Sequence, residues 1–255
     1  MITKNKIYLF ATIITIPLAL IFWQILSSSN LINKTLFPSP VYVFLALVEM
    51  IKNGELIRDI TISLIRIFSG FLIGSFLGII LGIMTGRILI VNKTIGQIIE
   101  IIRPIPAIAF LPLVILWFGV GEFSKILLIA FGSFFPVWIN THDGVGYVEK
   151  SYIWTAKSLG AKNFDILKEV VIPSATPFII SGLRIGIGSA FTLLVVAEMA
   201  GAFAGVGFRI DVSHLVFRTD KMLAGIVVLG ILGAFFHKMF MILARKVAPW
   251  YEREN

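Results

Sequence analysis

The chain of 255 residues is 58% hydrophobic and only 14% charged, with a mean hydropathy of +0.96, whereas a soluble domain carries roughly 25% charge. Its 22 basic and 14 acidic side chains cannot cover a water-soluble fold of this size, so a soluble single domain is excluded and the solvent for most of the chain is lipid. The net charge of +8 is spread between apolar runs rather than gathered in one patch, which points to anionic headgroups and cytoplasmic loops instead of nucleic acid; the lack of cysteine excludes disulfides, thiolate nucleophiles and sulfur-ligated metals.

Residues 7–26 carry no charge and at about 1.5 Å per residue span the roughly 30 Å hydrocarbon core. Signal peptides have shorter apolar regions and a small-x-small cleavage site, so a retained anchor is expected here. Five more apolar runs follow, at 67–86, 105–121, 126–141, 170–197 and 222–244. Six spans put both termini on one side. With the termini inside, eleven basic residues fall in cytoplasmic segments against seven outside, so the positive-inside rule favours cytoplasmic termini.

Between the first two runs, Phe37-Pro38-Ser39-Pro40 precedes Val41, Phe44, Leu45, Val48 and Ile51 at helical spacing. This predicts a proline-started amphipathic helix at the outer interface. The second run holds Gly70, Gly74, Gly78, Gly82 and Gly86. Spaced by four, they form one small-residue face along which another helix can approach closely. In the third run Pro104, Pro106 and Pro112 each remove a backbone donor, and the freed carbonyls must face protein or a water-filled cavity.

Enzymatic chemistry finds little support. There is no phosphate-binding G-x-x-x-x-G-K-[ST] loop, no H-E-x-x-H and no G-x-G-x-x-G; His142, His214 and His237 share no metal-ligand spacing. The expectation is a non-enzyme with no catalytic residue and no metal.

The informative polar stretch is 143–169, where four lysines and four acids alternate with apolar residues. Tyr152, Ile153, Ala156 and Leu159 fit one helical face, and Phe164, Leu167, Val170 and Val171 another. Leu159-Gly160 supplies a helix stop, Asn163 a restart with Asp165 in its first turn, and Pro173 a break into the membrane. A cytoplasmic helix-turn-helix with apolar stripes is expected to dock into a partner's groove.

Thr155-Ala156-Lys157-Ser158-Leu159-Gly160-Ala161 followed by Val170-Val171-Ile172-Pro173 resembles the E-A-A-x-x-x-G-(x)₉-I-x-L-P signature of permease subunits of ATP-binding-cassette importers. Trp154 replaces its glutamate, Thr155 its first alanine, Val170 its isoleucine and Ile172 its leucine. Phe37-Pro38-Ser39-Pro40, the glycine ladder, Arg103-Pro104-Ile105-Pro106, the 111–119 and 135–141 stretches and Val196-Ala197-Glu198 look like the nitrate, sulfonate and taurine group of these permeases, in order from about residue 37 to 240. The resemblance implies an all-α, six-span permease similar to type I importers. It would form a homodimer in the bacterial inner membrane, docked on two ATPase subunits that hold ATP and magnesium, and receive a small anion from an extracytoplasmic solute-binding protein; the chain itself would bind no cofactor. A pyrimidine precursor of thiamine is the alternative cargo within the same group. An ion-coupled secondary transporter would need matched broken repeats, which are not seen. The resemblance also assigns ATPase coupling to Ala156, Leu159, Gly160, Ala161 and Pro173.

The expected organisation is an anchor at 1–30, an extracytoplasmic connection at 31–58, a permease core at 59–248 with its coupling element at 143–172, and a cytoplasmic tail at 249–255. Two ionisable residues, Arg184 and Glu198, interrupt the fifth run, and an intramembrane charge is a functional candidate by default. Fourteen residues apart, they stand about 21 Å from each other along one helix and cannot pair in one chain. Both are candidates to line the translocation pathway, Arg184 as an electropositive point and Glu198 as part of a gate. Glu100 and Arg103 can pair on their own helix.

Overall fold

The computed structural model describes residues 2–29, 33 and 35–248, without the side chains of residues 2–13, 16 and 247; the expected tail at 249–255 lies outside the described residues. Among the described residues all regular structure is helical: α1 (Ile2–Ser28), α2 (Pro40–Lys52), α3 (Glu55–Arg87), α4 (Leu89–Ile102), α5 (Ala107–Phe118), α6 (Glu122–Gly146), α7 (Lys150–Ser158), α8 (Asn163–Met199), α9 (Val206–Leu215) and α10 (Thr219–Val247). Helices α3, α6, α8 and α10 are each long and apolar enough to cross a bilayer. Backbone polar groups inside a bilayer must be satisfied within the protein, and runs of about 17 or more apolar residues do this locally as helices.

The chain forms two compact units, Met1–Thr61 with Ala204–Gly230, and Ile62–Phe203 with Ile231–Asn255. In the first unit, α1 is tied to the following turn by Trp23 Nε1 donating to the Pro38 carbonyl at 3.1 Å and Ser27 Oγ to that of Phe37 at 2.8 Å. Helix α2 starts at Pro40, as expected. It buries Val43, Ala46 and Met50, and leaves Val41, Phe44, Leu45 and Ile51 exposed. The apolar residues expected to share a face are therefore the outward ones, which suits a helix lying against lipid. Gly54, at φ +72°, turns the chain from α2 into α3, where Glu55 in the first turn favours the helix N-terminus. A chain of ion pairs crosses this unit: Asp59 to Arg209 at 2.7 Å, Lys221 to Glu49 at 2.8 Å and Glu49 to Arg218 at 3.1 Å. Lys221, and then Arg218, hold the Glu49 carboxyl below the usual carboxylate range.

The second unit is built on the glycine ladder. A Cβ placed on Gly70 would meet Ile129, on Gly78 Val137, on Gly82 Thr141 and on Gly86 Val145, all at 3.0 Å or less. Residue numbers rise together on both helices, so α3 and α6 run parallel in backbone contact. Consecutive spans joined by a short loop would be antiparallel; parallel α3 and α6 require the intervening chain to travel back the full length of the bundle. Helices α4 and α5 make that return, with an 89° bend between them. The interrupted span expected at 105–121 proves longer than its apolar run: it is shared by two half-helices, because Pro104 and Pro106 cannot continue α4, and Lys93, expected in a cytoplasmic segment, belongs to the first helical leg. Glu100 and Arg103 do pair, at 3.3 Å. Helix α8 packs on α6 in the opposite sense, with Gly182 against Pro136 and Asn140, and Gly132 against Leu193. Helix α10 runs opposite to α8, since Phe191 lies beside Phe236 and Ile180 packs with Ala244.

Gly74 is the tightest point of the seam, where an added Cβ collides with the Ala130 carbonyl oxygen and the Ser133 hydroxyl. Backbone cannot yield as a side-chain tip can. Gly74→Ala is expected to lower the amount of folded permease in detergent extracts more than Gly78→Ala, whose nearest neighbours stand at 3.0 Å; equal loss in the two variants would contradict a seam set by backbone approach.

Candidate coupling element and membrane charges

Helix α7 stops in a Schellman motif. The Ala161 N–H reaches the Ala156 carbonyl at 3.0 Å and the Gly160 N–H that of Lys157 at 2.9 Å, closing two carbonyls that the helix end leaves open. Gly160 sits at φ +83°, with open space where a Cβ would be. At the restart, the Lys162 N–H donates to Asp165 Oδ2 at 3.0 Å, capping α8 at Asn163. Pro173 does not break the chain. Helix α8 continues from Asn163 to Met199 through one π-helical turn at Leu167–Val171, whose wider loop absorbs the donor that Pro173 lacks.

The two apolar stripes divide by burial rather than by segment. Ile153, Ala156, Ala161, Leu167 and Val170 pack on a core of Val145, Ile166, Val171 and Ala175. Leu159 is 83% exposed, Phe164 70% and Trp154 65%. An outward apolar face therefore surrounds the Gly160 turn, while Ala156 and Ala161 hold the element to its own bundle and Pro173 is half-buried at the base of α8.

The side chain of Glu198, a candidate to line the passage, is fully buried and paired. Arg66 Nη1 meets Glu198 Oε1 at 2.8 Å, and Ser63 Oγ donates to the same oxygen at 2.7 Å. The other edge of the guanidinium grips Glu122, with Nε at 2.6 Å from Oε2 and Nη2 at 2.5 Å from Oε1. Lys125, buried on the first turn of α6, donates to the Gly121 carbonyl at 3.1 Å and lies 3.8 Å from Glu122. The cluster sums to zero formal charge, the condition for holding ions where water is scarce. It ties α3, α6 and α8 together at one end of the glycine seam. At the other end the Thr85 hydroxyl lies 3.2 Å from Trp138 Nε1, which donates to it, and 2.9 Å from His142 Nδ1.

Sequence reasoning missed Arg66, and placed Lys125 in an outer loop. The signal was present: Asp59, Ser63 and Arg66 continue the spacing of Gly70 and Gly74 toward the N-terminus, a polar stripe on the face that the glycines prove to be buried. Arg184 lies midway between Gly182 and Gly186, which face α6, so it points to the opposite side of α8. It is exposed and makes no hydrogen bond or ion pair among the described residues.

The profile of the family described as "Binding-protein-dependent transport system inner membrane component" matches residues 74–251. A putative aliphatic sulfonates transport permease protein of Bacillus subtilis, SsuC, is 36% identical over 89% of this chain and 83% of its own. The taurine transport system permease protein TauC of Escherichia coli is 35% identical over 93% and 88%, and the nitrate import permease protein NrtB of a Synechocystis strain 30% over 92% and 88%. Among solved structures, an amino acid ABC transporter crystallised with histidines superposes with a TM-score of 0.64 at 20% identity, over 78% of this chain and 98% of that one. The inward-facing MetNI methionine ABC transporter gives 0.56 at 20% over 76% and 92%, which speaks to the fold alone.

Proposed function

Since the chain belongs to the binding-protein-dependent transport system inner membrane components, we propose that it is the permease subunit of an ATP-driven importer of small sulfonates, taurine or nitrate. The observation that carries this reading is that relatives matching about nine-tenths of the chain at 30–36% identity are named for those three solutes, all small and oxygen-rich, two of them anions and taurine carrying a sulfonate. In this reading two copies of the chain line a central passage, both termini face the cytoplasm, and two ATPase subunits hold ATP and magnesium while this chain binds no cofactor. A solute-binding protein delivers cargo on the outer side. The coupling element is the turn around Gly160: exposed Leu159, with Trp154 and Phe164 beside it, enters the ATPase groove, and Ala156, Ala161 and Pro173 transmit its displacement into α8 because they are packed on the bundle. A continuous helix from Asn163 to Met199 moves as one lever, which suits rigid-body alternation of access.

The test is uptake into proteoliposomes holding permease, ATPase and solute-binding protein. Taurine, an alkanesulfonate or nitrate should accumulate only with ATP and the binding protein both present. Accumulation of a thiamine pyrimidine precursor alone would move the cargo to the alternative class, and uptake driven by an ion gradient without ATP would overturn the reading.

A further inference from the structure

Helices α3, α8 and α10 flank an open-sided apolar groove within the second unit, its walls including Phe68, Phe71, Ile187, Phe191, Phe236 and Leu243. Phe236 sits at its centre, 5.1 Å from the Phe68 ring and 6.0 Å from that of Phe191. All three helices pass the length and hydropathy test for bilayer spans, and no polar side chain lines the groove, so its natural occupant is hydrocarbon rather than water or a polar solute.

One end of the groove carries positive charge. Arg184 precedes Ile187 by three residues and Phe191 by seven, which places it on the groove side of α8. It lies four residues, about 6 Å, from Ile180, and Ile180 packs with Ala244 just before Arg245 and Lys246 in the last turn of α10. Lys246, exposed, follows Leu243 by three residues on the flank of the same face. Basic residues ending an apolar span mark the membrane boundary, so Arg184 stands about one turn inside it, within snorkelling reach of the headgroups.

We propose that this groove is a binding site for an anionic phospholipid of the adjacent leaflet, with one acyl chain among the phenylalanines and the phosphate held by Arg184 and Lys246. A planar guanidinium can grip a phosphate through two parallel hydrogen bonds, and this gives Arg184 the partner that the described residues do not supply. The inference rests on the membrane-spanning assignment and is independent of which solute is carried.

The test is native mass spectrometry of the purified complex with its ATPase, titrated with phosphatidylglycerol or phosphatidylcholine of identical acyl chains. Near an anionic surface each basic residue is worth about fivefold in binding, so the complex should retain phosphatidylglycerol at least about tenfold more strongly than phosphatidylcholine. Arg184→Gln should lower the preference about fivefold and Arg184→Lys keep most of it. Leu243→Trp, at a position already 52% exposed, should lower retention of both lipids by filling the groove. Unchanged phosphatidylglycerol retention in Arg184→Gln would overturn the proposal. So would an oxidative disulfide between two copies of Met239→Cys, the sole cysteine such a variant would contain, because it would show a second chain covering the groove.

Discussion

Replacing Glu198 with alanine is expected to remove most of the assembled permease from the membrane. The carboxylate is fully buried and supplies the 2.8 Å partner of Arg66; deleting one member of such a pair leaves a charge without compensation, at a cost of about 3–5 kcal/mol. That is a large share of the roughly 5–15 kcal/mol by which a domain is stable. Glu122 still reaches the guanidinium, but its side chain is 60% exposed and cannot replace a buried acceptor shared with Ser63. Removing both charges together, as Arg66→Met with Glu198→Leu, is expected to restore much of the assembled protein, since an apolar pair of similar volume is often neutral. Quantifying folded permease by size-exclusion chromatography of detergent extracts separates the cases. A single Glu198→Ala variant present at the normal level would show that the cluster does not hold the helices, and would return Glu198 to the passage.

Substitution at the Gly160 turn is expected to abolish uptake while leaving the permease inserted. Gly160→Val forces a β-branched residue into φ +83°, where an L side chain costs about 1–2 kcal/mol, and would open the Schellman turn without any collision, because the surrounding space is empty. Leu159→Asp changes the outward face alone, placing a charge where docking would desolvate it. Ala161 is a poorer choice: half-buried against the bundle, its replacement by aspartate would mix loss of packing with loss of docking. Both outward variants should be present at normal levels, fail to retain the ATPase in pull-downs, and import at background rate. Normal uptake with either one would reduce the element to a linker.

How far the sequence disclosed this architecture depends on the range of the interaction. Hydrophobic length located the spans to within about seven residues, apart from the α4–α5 crossing and from α3, which starts twelve residues before its apolar run, because Arg58, Asp59 and Arg66 ended that run although Asp59 and Arg66 are paired rather than carried in a loop. The helix stop at Gly160 and the restart at Asn163 are local hydrogen-bond patterns and were legible. The glycine ladder announced a close helix contact but not the partner. The bend at Pro104 and Pro106 and a helical pairing of Glu100 with Arg103 were visible, whereas the 89° angle and the full length of the half-helix before it were not, since Lys93 looks like a loop residue until a neighbouring helix makes the leg part of a crossing. Pairing of Arg66 with Glu198 spans 132 residues, a separation at which no periodicity speaks.

The α3–α6 seam has a property that follows from its arithmetic. Gly70, Gly78, Gly82 and Gly86 each face the residue 59 positions later, Ile129, Val137, Thr141 and Val145, and both sides repeat every four residues. Such a surface is close to self-similar: displaced by four residues, about 6 Å, all but the terminal glycine would again meet a residue of the same row. Backbone closeness therefore sets the distance between the two helices but is nearly indifferent to their register, like two combs of equal pitch. What singles out one register is the aperiodic chemistry at the ends, Arg66 with Glu122 and Glu198 at one and Thr85 with Trp138 and His142 at the other. The alignment of the bundle is thus written in about six polar side chains, and its tightness in five glycines.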